Sequence, residues 1–299
     1  MNRALVTGAT GFTGSRTVPL LIERGYRVRC LVRASSERTV LAGNPVEWFE
    51  GDLADPHELE LSMKGVDVLV NVASIGFGHA PHIVGAALAA GVKRAVFLST
   101  TAIFTTLNAP SKAVRVAAED TIKNSGLAYT ILRPTMIYGS SRDRNMCRLV
   151  RYLRRWPVMP MPGKGENLQQ PVYVDDVARA IVEAISTDHT MGKSYNIPGP
   201  KPLTFKEVVK TISSLMGRKI LKVNLPISPF VMLLRLFESQ GLTLPIKAEQ
   251  ILRLNENKAF NFDDASRDFG YAPRQFEEGI ALELNEMGYN PQITQIFAD

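Results

Sequence analysis

The residues best suited to chemistry gather near the start of the chain. Thr7-Gly8-Ala9-Thr10-Gly11-Phe12-Thr13-Gly14 follows a short apolar run and opens a helical one. Glycines at these positions let the backbone turn tightly and approach a ligand, and a helix N-terminus favours negative charge. In the order strand, glycine loop, helix, the arrangement is expected to cradle a dinucleotide pyrophosphate. Gly8, Thr10, Gly11, Phe12, Thr13 and Gly14 would be its contacts. The alternative is a glycine-rich turn with a steric purpose only.

The next strand pattern ends in Leu31-Val32-Arg33, where the adenosine ribose of such a ligand would lie. A carboxylate there would select NAD by accepting from the ribose hydroxyls. Val32 and Arg33 stand there instead, and a guanidinium forms a charge-assisted fork with a 2′-phosphate. NADP(H) is therefore expected ahead of NAD(H), with Arg33 as the selecting residue. A solvated Arg33 covering the adenine ring is the other reading. Gly51-Asp52-Leu53 follows the third strand and brings Asp52 and Leu53 to the adenine. Asp52 would accept from the adenine amino group or cap the helix after Pro56.

Such groups need a sheet that aims its strand ends at one edge. Apolar, β-branched runs at residues 4–6, 27–32, 46–49, 68–71, 95–98, 129–132 and 194–197 predict strands. Helical patterns at 14–24, 81–90, 112–124 and about 175–186 fall between them. Alternation at this spacing implies βαβ units, and strands apolar on both faces imply a parallel sheet covered by helices. The expected fold is therefore α/β, a doubly wound parallel Rossmann sheet with a smaller, mostly helical C-terminal lobe. Residues 1–139 and 176–199 would form the dinucleotide-binding domain, and 140–175 with 200–299 the substrate lobe. Six prolines and glycines across 157–171 predict a loop-rich connection. Thr204 and Glu207 form a capping box, stapled by Leu203 and Val208, and the last hundred residues read mostly helical.

Composition narrows the partners. With 299 residues, 45% hydrophobic and 21% charged, the chain is that of a soluble globular protein. Its net charge of +6 suits an anionic ligand as well as nucleic acid, and no basic stretch is interleaved with aromatics, so nucleic acid is not expected. Two cysteines, Cys30 and Cys147, form no metal-ligand spacing, and no metal site is expected. The absence of an export signal points to the cytoplasm. The apolar region 221–237 is broken by Asn224, Pro226, Pro229 and Arg235, so no membrane span is expected.

Taken in order, several short motifs resemble those of the extended short-chain dehydrogenase/reductases. They are residues 7–14, Gly51-Asp52-Leu53, Ser99-Thr100, Ser111-Lys112, Leu132-Arg133-Pro134 with Tyr138-Gly139, Tyr173-Val174-Asp175-Asp176-Val177-Ala178, and the stretch 264–273. The resemblance covers nearly the whole chain and implies a seven-stranded doubly wound sheet, with a small lobe closing over substrate. It also implies roles. Lys112 would hold the nicotinamide ribose and relay a proton, Thr100 would bond the reacting oxygen, and Ala73, Pro134 and Thr135 would line the nicotinamide.

Two departures set the chain apart. The family's Tyr-x-x-x-Lys pair has Lys112 but Asn108 in place of the tyrosine, and an amide cannot relay a proton at neutral pH. Where nucleotide-sugar members often carry an arginine, Gln169 stands. Both point to the atypical branch, which resembles isoflavone-type reductases, nitrogen-metabolite-repressor-like redox sensors and an accessory subunit of respiratory complex I. The run Lys112-Ala113-Val114-Arg115 followed by Glu119 is similar to that of the reductases, in which a lysine works without the tyrosine.

The remaining candidates concern substrate. Thr101 sits beside Thr100, and Tyr138 is the nearest replacement phenol, though its Tyr-Gly pair also suits packing. Arg144, Arg148, Arg151 and Arg155 share one helical face, either a cationic wall for an anionic substrate or a solvated surface. His79 and His82 are minor acid/base candidates. The expected activity is hydride transfer between NADP(H) and a small organic substrate. A non-catalytic redox sensor or structural subunit, and a nucleotide-sugar epimerase or dehydratase, are the alternatives. Oligomeric state is open, a homodimer being one option.

Overall fold

The computed structural model describes residues 2–107, 109–143, 145–239 and 252–289. Seven parallel strands form one sheet: β1 (Arg3–Thr7), β2 (Arg27–Val32), β3 (Val46–Glu50), β4 (Val68–Asn71), β5 (Arg94–Leu98), β6 (Tyr129–Pro134) and β7 (Lys193–Ile197). Their order across the sheet is β7-β6-β5-β4-β1-β2-β3. Strands are added to one side of β1 and then, from β4 onward, to the other. The connection therefore reverses between β1 and β4, where their carboxyl ends open a crevice. Ala4 lies level with Val28 on one neighbour and Val68 on the other.

The crossovers are α1 (Gly14–Glu23), α2 (Pro56–Met63), α3 (Ala80–Ala89), α4 (Pro110–Lys123) and, after a helix α5 (Met146–Arg155), α6 (Val174–Ser186). Alternation along β1 sends Ala4 and Val6 to one face and Leu5 to the other. The first pair packs with Val18 and Leu21 of α1 and Val177 and Ile181 of α6. Leu5 packs with Leu59 of α2, Ile83 of α3 and Ile122 of α4. Each such fully buried aliphatic contributes roughly 1.5–3 kcal/mol, so both layers are needed to cover the sheet. Arg94 lies inside β5, yet its guanidinium bonds Ala128 O at 2.7 Å, Thr190 Oγ1 at 2.6 Å and Ala184 O, near the end of α6, at 2.9 Å. These bonds to Nη1 and Nη2 offset the burial of the cation, although its Nε finds no partner among the described residues.

A second cluster of buried side chains lies beyond the carboxyl edge. It joins Met146, Val150 and Leu153 of α5 to α7 (Phe205–Leu215) and, beyond α8 (Ile227–Ser239) and α9 (Asp263–Phe269), to α10 (Phe276–Glu286). Thr204 caps α7, with the reciprocal Glu207 bond expected of a capping box.

The seven strands match their predicted positions to within two residues, and the fold class is as expected. The 157–171 stretch differs. It contains a strand, Val158–Pro162, paired in parallel with a second unexpected strand, Leu221–Leu225, within the apolar 221–237 region. Pro160 and Pro162 alternate, so their missing N–H groups fall on one side of a strand that has only one partner. Among the described residues no helix is long and apolar enough to cross a membrane. Cys30 and Cys147 are free and buried, and burial raises both thiols, Cys30 to about 12.

Candidate functional site

The glycine loop turns on a bond from Gly11 N to Gly8 O at 3.0 Å. Gly8 has φ of +69°, and a Cβ there would lie 2.8 Å from Ala73 N, just past β4. Backbone thus meets backbone across the β1/β4 gap, and a side chain has no room. Thr7 Oγ1 donates to Asn71 Oδ1 at 2.7 Å, and Asn71 Nδ2 to Ala73 O at 3.0 Å, tying the two strand ends together. A Cβ on Gly14 would sit 2.8 Å from Ala9 Cα, so the third glycine keeps α1 close to the loop. Helix α1 begins without a side-chain cap. Thr13 is buried, while Phe12 leans against the second cluster.

At the end of β2, Arg33 is exposed, its N–H donating to Ser36 Oγ at 3.1 Å. Its guanidinium makes no ion pair among the described residues. Arg38, close behind, is engaged by Glu50 at 2.7 Å and lies over Trp48. Asp52 does not cap the helix after Pro56. Asp55 does, accepting from His57 N and Glu58 N, because its position directly precedes the proline. Asp52 instead accepts from Ala54 N at 2.9 Å, and Leu53 is half-buried on the second face of the sheet.

The ends of β5 and β6 form the other half of the edge. Ser99 Oγ donates to Glu119 Oε1 at 2.7 Å, and Glu119, 1% exposed, pairs with Arg133. Burial opposes that charge, but Arg133, Ser99 and Lys123 outweigh it and hold the carboxyl below its usual range. Thr100 opens a 3₁₀ turn over Thr101–Phe104, its hydroxyl oxygen accepting from Ala102 N at 3.2 Å. Thr101 is buried and donates to Pro134 O at 3.3 Å, which makes it a tie between strand ends rather than a substrate contact. Lys112 Nζ donates to Thr105 O at 2.6 Å. Asn108 lies outside the described residues.

Glu256, from far along the chain, anchors the segment before Lys112, accepting from Thr105 Oγ1 at 2.7 Å and Thr106 N at 2.7 Å. Burial opposes its charge, and the donors from Thr105 and Thr106 more than offset it, so its carboxyl lies below the usual range. Gln169 is buried and its amide donates to Leu254 O and Glu256 O, both at 3.3 Å. No local signal in the sequence marks Glu256.

Tyr138 is corrected. It is 1% exposed, between Tyr173 and Phe276, and burial above all raises its phenol well beyond the usual range. It packs the second cluster and is closed to substrate. Arg148, Arg151 and Arg155 are exposed on α5, opposite buried Met146, Val150 and Leu153, and Arg144 lies outside the described residues. Arg151 bonds Ser141 O at 3.2 Å. The exposure of Arg148, Arg151 and Arg155 is that of a helix face open to solvent. His79 precedes α3, and His82 is exposed on it.

After Gly139, residues 140–143 form a tight turn. Asp143 is buried there, accepting from Asn145 N at 2.7 Å, and beside it Glu283 of α10 is fully buried. Burial above all, and then the neighbouring Asp143 carboxylate, push the Glu283 carboxyl up to about 10, so it carries its proton. Among the described residues no cluster of His, Cys, Asp and Glu could hold a metal ion.

A parallel sheet that reverses at β1/β4, with a glycine loop at that point, defines a dinucleotide-binding α/β protein. A family model described as NAD(P)H-binding matches residues 8–188, and the chain belongs to that family. The kinship with extended short-chain dehydrogenase/reductases read from its motifs holds. It is 27% identical to a mitochondrial NADH dehydrogenase [ubiquinone] 1 alpha subcomplex subunit 9 of Arabidopsis thaliana, over 89% of this chain and 71% of that protein. With a ceramide reductase of Caulobacter vibrioides it shares 28% identity over 74% of this chain and 73% of the other. Its backbone is similar to a UDP-glucose 4-epimerase of Thermotoga maritima solved with UDP-glucose. That match has a TM-score of 0.75 and 20% identity, covering 96% of this chain and 98% of that one.

Proposed function

We propose that the chain is an NADP(H)-dependent oxidoreductase acting on the carbonyl of a small organic substrate. One observation carries this reading: the cradle at residues 8–14, Arg33, which has no ion pair among the described residues, and the Thr100–Lys112 pair lie along one edge of the sheet. The residues fit the cofactor: with no Cβ at Gly8 and Gly14, the loop packs tightly on the Ala73 and Ala9 backbone, the compact turn a pyrophosphate cradle needs. Residues 8–14 would hold the pyrophosphate, Arg33 the 2′-phosphate, and Ala73, Lys112 and Pro134 the nicotinamide end. A bound nicotinamide supplies or accepts the hydride. The chain's own residues orient the carbonyl and supply its proton. Thr100 has spent a lone pair on Ala102 N, so its O–H is free to donate to the substrate oxygen. Lys112 has three N–H donors and gives one to Thr105 O, leaving two for a ribose and a substrate oxygen. Residues 140–175 and 200–299 would close over the substrate.

A second reading is a cofactor-binding sensor or structural subunit. Asn108 in the tyrosine position favours it, as does the likeness to a respiratory-complex subunit. The epimerase reading is weaker, because the Gln169 amide is spent on backbone carbonyls.

Calorimetric titration with NADPH and NADH, followed by NADPH oxidation over a panel of carbonyls and enones, tests the proposal. NADPH should bind roughly ten- to hundred-fold tighter than NADH, and Arg33→Gln should erase the difference. Lys112→Met should lower turnover by about 10²–10⁴-fold while costing little affinity. Equal affinities would remove the NADP(H) assignment. Turnover that appears only in Asn108→Tyr would replace the enzyme with the sensor.

A further inference from the structure

Arg142 follows Gly139 in a turn whose described residues are well tied. Arg142 N donates to Ser140 Oγ at 3.1 Å, Asp143 N donates to Ser140 O at 3.2 Å, and Asp143 accepts from Cys147 N at 3.1 Å. From this base the guanidinium leaves its own neighbourhood and reaches the glycine loop. Nη2 donates to Thr10 O at 2.8 Å, and Nη1 to Ser15 Oγ, in the first turn of α1, at 3.4 Å.

This is an unfavourable place for a cation left to itself. The start of a helix carries positive partial charge, and α1 has no acidic residue in its first turn. Arg142 pairs with no carboxylate among the described residues, whereas the arginines Arg16, Arg38 and Arg267 each meet at least one. A guanidinium fixed beside a positive helix end, on a loop of an NAD(P)H-binding chain, has the geometry of an anion ligand.

We infer that Arg142 is a ligand of the dinucleotide pyrophosphate, supplied to the glycine loop from the loop that precedes α5. The inference rests on residues 8–14 being the pyrophosphate cradle. When the cofactor enters, the Arg142 donors turn from Thr10 O and Ser15 Oγ to phosphate oxygens. Cofactor binding then depends on the docking of the α5 loop as well as on the sheet. Arg142 also differs from Arg33 in what it reads: the pyrophosphate is common to both cofactors, and the 2′-phosphate is not.

The test is calorimetry of the full chain with NADPH and with NADH, at two salt concentrations, for wild type, Arg142→Gln, Arg142→Lys and Arg33→Gln. Arg142→Gln should weaken both cofactors by the same factor, roughly ten- to hundred-fold, and flatten the salt dependence. Arg142→Lys should recover part of the loss, and Arg33→Gln should weaken NADPH alone. The melting temperature without cofactor should not move, because the side chain is exposed. Unchanged affinity in Arg142→Gln, with wild type binding normally, overturns the inference and leaves the cradle intact. If wild type binds neither dinucleotide, the cradle itself falls and the inference with it.

Discussion

The glycine loop at residues 8–14 and the segment at residues 99–112 line the same edge of the sheet, but they are held in place differently. The loop is shaped mostly by its own backbone: a turn from Gly11 to Gly8, an αL glycine and a helix that starts three residues later. Its outside contacts are the Ala73 backbone, beside a neighbouring strand end, and the Arg142 guanidinium on Thr10 O. The 99–112 segment is held by side chains from elsewhere. Glu119 lies under Ser99, Pro134 receives Thr101, and Glu256, about 150 positions along the chain, ties down Thr105 and Thr106. In the proposed reading the loop would hold a part common to all dinucleotides, whereas the other segment would meet substrate. A site that must adapt to substrate is set by remote, exchangeable contacts.

The largest break in this contrast comes from the loop. In Gly11→Val a Cβ would already lie 3.0 Å from Gly8 O, and the branched side chain would enter the space proposed for the phosphate. NADPH binding should fall by on the order of a hundred-fold or more, read by cofactor fluorescence, with an unchanged circular dichroism spectrum. Gly8→Val is a poorer probe, since its positive φ adds a folding penalty.

On the other side, Glu119→Gln should cost fold rather than binding. It leaves Arg133 facing a neutral amide in a buried pair, a loss of about 3–5 kcal/mol. At about 2–4 °C per kcal/mol, thermal melts at neutral pH should shift clearly downward. The Glu119 carboxyl lies below its usual range, so its contribution is present above that range and is lost as pH falls through the lowered value. The gap between wild type and variant should therefore close in acid. A gap that persists there would mean Glu119 acts by packing alone.

The smallest effect sharpens the comparison most. Glu256→Ala frees Thr105 and Thr106 without touching the glycine loop. Turnover should drop about ten-fold while NADPH affinity and melting temperature stay near wild type. A loss of NADPH affinity equal to the loss of turnover would show that the two segments are not independently held.

The same contrast explains what the sequence made legible. Apolar runs and a glycine loop are local patterns, so β1 to β7 and the crevice at Ala73 could be read directly. The Val158–Pro162 strand could not, because its partner lies some sixty residues on and its prolines are tolerated only on an unpaired side. Asp55 took the cap from Asp52 through its position beside Pro56, a distinction of three residues. Tyr138 looked like a phenol near the site, and only the packing of α10 shows it enclosed. Glu256 and Arg142 act through contacts across more than a hundred residues, which no window of sequence contains.

The protonated Glu283 has a consequence for thermodynamics. An unfolded glutamate ionises near 4.5, whereas this one holds its proton to about 10. Folding at neutral pH therefore draws a proton from the buffer, and unfolding gives it back. The stability tied to this group is complete in acid and drains away as pH climbs toward 10, opposite in sign to the contribution of Glu119. The two buried carboxyls pull the pH optimum of the fold in opposite directions, and the heat of unfolding carries the ionisation enthalpy of whichever buffer takes the proton.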